Sequence, residues 1–104
     1  MSLEEILAFT KAEHARLLKF YRIKDKKLRY LICLKINEEL GELAEEILSL
    51  EKVQRKEKLV KWENKIGDEL ADVLITLLLL GENLDINITK EVEKSIKKRK
   101  ERSY

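Results

Sequence analysis

The chain has no proline, only three glycines and a single cysteine in 104 residues. So few turn-forming residues argue against an all-β architecture, which needs a turn between every pair of short strands. The lone Cys33 excludes an internal disulfide and a cysteine-based zinc site, and it is expected to be a small core residue in a reducing compartment. Long apolar runs are also missing. The longest, Val73 to Leu80, is broken by Thr76 and falls well short of the roughly 20 residues that span a bilayer. The opening MSLEEIL has no basic segment, so no signal peptide is expected, and the chain reads as soluble, cytoplasmic and free of membrane contact. Nor does one sign of charge dominate: 22 Lys+Arg stand against 20 Asp+Glu, so the molecule as a whole is not a polyanion binder.

What is present is helix-forming. Hydrophobic residues make up 44% and charged residues 40%, enough to build one core behind long solvated faces, and the length suits one domain. Ser2 and Glu5 have capping-box spacing and open a helix running to about residue 21. A second helix begins near Asp25 and ends near Leu50, with Ile32, Ile36, Leu40, Leu43, Ile47 and Leu50 as its apolar stripe. The charged segment 51–65 reads equally as a loop or as the first turns of the next helix. Helix 3 covers at least Ile66 to Leu80, with Gly81 as its expected C-terminal stop. Asn87 is the expected N-cap of a fourth helix, whose Ile88, Val92 and Ile96 mark an inner face.

Four amphipathic helices with short connections predict an all-α bundle. Helix 3 is the exception, because Leu70, Val73, Leu74, Leu77 and Leu78 cover one side while Ala71, Ile75 and Leu79 cover much of the other. A helix that is apolar nearly all round must be buried nearly all round, and four short helices do not enclose it. A homodimer, or a larger homo-oligomer such as a tetramer, is therefore expected, with helix 3 at the interface.

Within that apolar helix, Glu69 and Asp72 stand three residues apart. An unpaired carboxylate in an apolar setting costs several kcal/mol or takes up a proton, so partners are expected. Helix 2 supplies candidates in NEELGELAEE, residues 37–46. With Ile36 as zero, Glu39 falls at about −60°, Glu46 at about −80° and Glu42 at about −120°, bordering the core stripe. With Leu70 as zero, Glu69 and Asp72 share one flank at about −100° and −160°. Antiparallel packing of helices 2 and 3 would bring Glu39, Glu42, Glu69 and Asp72 together. Four like charges in one place call for a hard divalent cation, and all-oxygen ligands favour Mg²⁺, with Mn²⁺ possible. Mg²⁺ commonly bridges carboxylates to phosphates, so a phosphate ester or anhydride is the implied substrate. Taken alone, EExxE is most often a solvated helix face. Gly41 in mid-helix costs about 1 kcal/mol relative to alanine and suggests close approach by another group.

The string EELGE with Glu38, Glu39 and Glu42, followed by ELAD with Glu69 and Asp72, stands in the contexts LKINEELGELAEEIL and IGDELADVLITLLLLGENLDINI. Together these resemble the MazG-type all-α nucleotide pyrophosphohydrolases over roughly Leu31 to Arg102. The resemblance implies a Mg²⁺-dependent enzyme cleaving nucleoside triphosphates between the α and β phosphates to monophosphate and pyrophosphate. It implies Glu39, Glu42, Glu69 and Asp72 as metal ligands and Glu38 as an auxiliary catalytic carboxylate that polarises the attacking water. Lys94, Lys98 and Arg102 would bind substrate phosphate, with Lys98 standing where family members often show asparagine; a solvated basic tail is the alternative reading.

Asn37 and Trp62 are candidates to contact the base, although a tryptophan at a helix end is more often a packing residue. Lys35 is expected to pair with Glu39, and His14 to lie at the surface. Nucleic-acid binding by the basic tail is not favoured, because that tail is short and has no aromatic residues interleaved. Two other functions stay open: a phosphoribosyl-ATP pyrophosphohydrolase of the same superfamily, and a non-catalytic helical dimerisation module.

Overall fold

The computed structural model describes residues 1–50 and 56–102, and the side chains of 1–50 and 65–102. It is all-α, with α1 over Leu3–Tyr21, α2 over Asp25–Ser49, α3 over Lys56–Asn83 and α4 over Ile88–Glu101. The expected capping box starts α1: the Ser2 hydroxyl accepts from the Glu5 N–H at 3.1 Å, and the Glu5 carboxylate accepts from the Ser2 N–H. Arg22, in the left-handed region at φ 54°, ends the helix and turns the chain into α2.

α2 and α3 form the most extensive packing in the molecule, and α1 lies against both. Contacts from Arg29 to Asn83, Glu39 to Thr76 and Glu46 to Lys65 run in opposite directions along the two helices, so α2 and α3 are antiparallel. The core is Leu28 and Ile32 of α2 and Leu79 of α3, with Leu17, Leu18, Ile23, Ile36, Ile75 and Leu80 packed around it.

The side of α3 that meets α1 and α2 carries Val73, Thr76, Leu79 and Asn83, all buried. Leu70, Leu74 and Leu77, which the sequence groups with Val73 on one side of the helix, are instead 57%, 54% and 44% exposed within the protomer. Two polar residues are buried in their stead because each is hydrogen-bonded. Asn83 is the clearer case: its Oδ1 accepts from Arg29 Nε at 2.8 Å, and its Nδ2 donates to the Asp25 carbonyl at 3.0 Å and faces His14 Nε2 at 3.0 Å. Because Nδ2 can only donate, His14 Nε2 is the acceptor in that contact. One amide thus ties α1, α2 and α3 together at the end of the bundle away from the acids.

Several expectations are corrected. α3 begins by Lys56, so the helical reading of 56–65 holds, while 51–55 lie outside the described residues. Gly81 does not stop α3. The helix continues to Asn83, and the reversal falls at Asp85 with φ 55°. Gly81 is buried against Ile88, whose Cβ would lie 3.9 Å from an added Cβ, so it marks the seat of α4's first residue. Gly41 meets nothing within 4 Å, and no close approach occurs there within the protomer. Cys33 is exposed on the outer side of α2, about 100° from buried Ile32, rather than in the core. His14 is no surface residue, its side chain being only 12% exposed. Asn87 does cap α4, accepting from the Lys90 N–H at 3.1 Å. α4 nevertheless has no buried residue, and Val92 and Ile96 are about half exposed, so the expected inner face has no core to meet within one protomer. The stripe of α2 is similarly split, since Leu40 and Ile47 are exposed while Ile32 is buried.

Candidate functional site

The acids occupy the open end of the α2–α3 pair. Antiparallel packing lets a one-turn carboxylate pair on each helix face the other, because side chains three residues apart share a helix face. Glu39 is the anchor: it is buried, and it accepts from Thr76 Oγ1 at 3.1 Å. The same hydroxyl lies 2.7 Å from the Asp72 carbonyl oxygen, so its single proton sits between two acceptors. Thr76 therefore links the Glu39 carboxylate to the backbone that carries Asp72.

Lys35 is 3.6 Å from Glu39 Oε1 and 4.0 Å from Glu38 Oε1, which bears out the ion pair expected from sequence. Glu38 and then Glu39 raise the Lys35 ammonium above its ordinary pKa. Lys65 does the same service for Glu46 at 2.8 Å, and the hydrogen bond to Glu46 is the main cause of its raised pKa. Glu69 lies above the ordinary carboxylate range, first through partial burial and then through the charges of Glu42, Asp72, Glu39 and Glu46. Five carboxylates thus act on one another across two helices, with two ammonium groups beside them.

The two ammonium groups leave the five carboxylates in excess. The Oε2 atom of Glu46 is buried and has no hydrogen-bond partner among the described residues, a costly state for a carboxylate oxygen. The donor set is entirely oxygen, which fits Mg²⁺ or another hard divalent cation. Among the described residues, no three acidic, histidine or cysteine side chains are gathered closely enough to hold such an ion as they stand. The helix backbones bring the acids to one place; ligation would need changes of side-chain rotamer.

Beside Glu39 runs a groove of about 370 Å³ lined by Leu17, Tyr21, Leu28, Ile32, Lys35 and Thr76, among others. Lys35 and Thr76 belong to both groove and acid cluster. Asn37 is exposed on the far flank of α2 from Lys35, and Trp62 lies outside the described side chains. Glu38 is exposed at the cluster's rim. Lys94 is turned to Glu91 of its own helix at 3.2 Å, and Lys98 and Arg102 follow it along exposed α4. No ion pair joins Lys94 or Lys98 to the acids of α2 and α3 among the described residues.

Thr76 and Glu46 belong to the acid cluster's hydrogen-bond and ion-pair network, and sequence reasoning gave neither a role. The signal for Thr76 was available, as a polar residue interrupting the run from Val73 to Leu80 on the flank of Glu69 and Asp72. Glu46 had been placed on the same border of α2 as Glu39.

A family model, MazG-like, matches residues 31–103, which include all of these acids, the whole of α3 and most of α2. The chain belongs to the MazG-like family. No curated protein and no solved structure matches it. In this MazG-like chain the match begins inside α2 and leaves α1 outside, although α1 supplies Leu17 and Tyr21 to the groove. No helix among the described residues is long and apolar enough to cross a membrane.

Proposed function

We propose that this MazG-like protein is a nucleotide pyrophosphohydrolase, taking a nucleoside triphosphate to the monophosphate and pyrophosphate. The observation that carries the reading is that antiparallel α2 and α3 bring Glu39, Glu42 and Glu46 to the side of Glu69 and Asp72, with Thr76 bridging the Glu39 carboxylate to the Asp72 backbone. A cluster with this surplus of negative charge is suited to hold Mg²⁺, through Glu39, Glu42, Glu69 and Asp72. Bound there, the metal would neutralise phosphate charge and acidify water.

The chain's own residues then have separate tasks. Thr76 and Lys35 fix the buried Glu39 carboxylate, and Glu38 at the rim would polarise the attacking water. The apolar groove beside Glu39 suits the nucleoside, with Tyr21 at hand to pack on the ring of a base. It offers few hydrogen-bonding groups, which favours shape over base-edge reading. Lys94, Lys98 and Arg102 would reach phosphate only from a helix that is not packed on its own bundle. The exposed Leu70, Leu74 and Leu77 face supports a homodimer in which a second copy covers α3.

Pyrophosphate release from a panel of canonical and modified nucleotides, with Mg²⁺ and with Mn²⁺, tests the proposal. Release from at least one of them is expected. None from any would overturn the reading in favour of a non-catalytic helical module, and release from phosphoribosyl-ATP alone would narrow it to the histidine-pathway enzyme class.

A further inference from the structure

The charge of the molecule is unevenly spread. Residues 19–30, KFYRIKDKKLRY, carry six basic residues and one acid in a chain whose formal charge is only +2. They form the corner between α1 and α2, away from the acid cluster. Lys19, Arg22, Lys24, Lys26 and Lys27 are exposed, and among the described residues none has an ion-pair partner. The same corner exposes Phe20 at 69%, Tyr21 at 52% and Tyr30 at 56%, three of the chain's six aromatic residues. Lys26 and Lys27 precede Tyr30 by four and three residues, so they flank its ring on the outer side of α2. Helix α4 also carries six basic residues, set against three acids, but has no aromatic residue between Ile88 and Glu101.

We propose that the α1–α2 corner binds single-stranded nucleic acid, the lysines and Arg22 contacting phosphates while Phe20 and Tyr30 stack on bases. Exposed cations with interleaved aromatic rings are the combination such strands require, since phosphate attraction is independent of sequence and every base has a stacking face. A duplex hides those faces and would use only the charge. An anionic bilayer is the other polyanion to weigh, but it favours apolar side chains gathered on one side of a helix. Here the Phe20 and Tyr21 rings meet edge to face at 88° with centroids 5.0 Å apart, Tyr30 lies on a different helix, and Asp25 stands among the lysines. The proposal does not rest on the pyrophosphohydrolase reading, since the lysines, Arg22, Phe20 and Tyr30 that carry it line neither the acid cluster nor the groove, and Tyr21, which does line the groove, is given no part in it.

Fluorescence anisotropy of labelled oligothymidylate and oligouridylate of about 20 nucleotides, in EDTA, tests it. The expected result is binding whose log K falls with log salt concentration by about 0.7 for each phosphate contacted. K26E/K27E should weaken it about tenfold or more and flatten the salt slope. Tyr30→Ala should weaken it by about fivefold with the slope unchanged. K97E/K100E on α4 should leave it nearly intact, and circular dichroism should show every variant as helical as the parent.

The inference is overturned by absence of binding at low salt, or by equal affinity for a duplex of the same length. It is also overturned if the α4 variant loses binding while K26E/K27E keeps it, or if removing both Phe20 and Tyr30 has no effect. Binding to vesicles of anionic phospholipid with none to the oligonucleotides would assign the corner to a membrane surface instead.

Discussion

The two sides of α3 are made of different material and meet different fates. One carries Val73, Thr76, Leu79 and Asn83 and is buried against α1 and α2; the other carries Leu70, Leu74 and Leu77 and stands open. The more polar side is inside because its polar groups arrive with partners: Thr76 with Glu39, Asn83 with Arg29 and the Asp25 carbonyl. A satisfied polar group inside a protein is tolerated, and it fixes register in a way that leucine does not. Three exposed leucines, by contrast, form a non-specific demand for cover. Hydropathy alone ranks the two sides in the wrong order.

The largest expected effect lies on the buried side. Glu39→Gln keeps the volume and the hydrogen bond from Thr76 but removes the charge, so pyrophosphate release should fall by about a hundredfold or more. A variant with undiminished turnover would remove Glu39 from the site. Next comes Asn83→Leu, which strands Arg29, the Asp25 carbonyl and His14 at once. Urea denaturation should show a loss of about 2–4 kcal/mol, and a neutral outcome would mean that the amide bridge does not hold the helices.

On the open side, the L74E/L77E double variant should stay helical and reduce the mass seen by light scattering from that of two chains to that of one. A parent that is already monomeric would end the dimer reading.

The smallest effect concerns Glu69. Its folded pKa is raised, so its contribution favours folding below the ordinary carboxylate range and is lost as pH rises through the raised value. Metal-free protein should therefore melt at a lower temperature at pH 7 than at pH 5 by a margin that Glu69→Gln reduces. Mg²⁺ should raise the melting temperature of the parent more than that of this variant, and equal shifts would argue against a metal at the cluster.

Much of the fold was legible because the signals were local. Ser2 with Glu5, the periodic stripe of α2 and the Asn87 cap each depend on residues within a turn or two. The acids of the candidate site were legible too, since spacing on each helix and antiparallel pairing suffice to bring Glu39 and Glu42 towards Glu69 and Asp72. Failures came where a residue's fate depends on what lies across from it. Gly81 looked like a helix stop but is a packing contact for Ile88, and Cys33 looked like core but lies on the outer side of α2. His14 looked like surface, yet it receives the amide of a residue 69 positions away.

By itself, then, the sequence determined four helices, a carboxylate pair on each of two of them, and membership of the MazG-like family, because helix period, capping and motif spacing are written in neighbouring residues. The tertiary structure decided which side of α3 is inside, that Thr76 secures Glu39, and that Glu46 joins the cluster. Those outcomes rest on hydrogen bonds between residues tens of positions apart, and no local pattern specifies which polar group finds its partner.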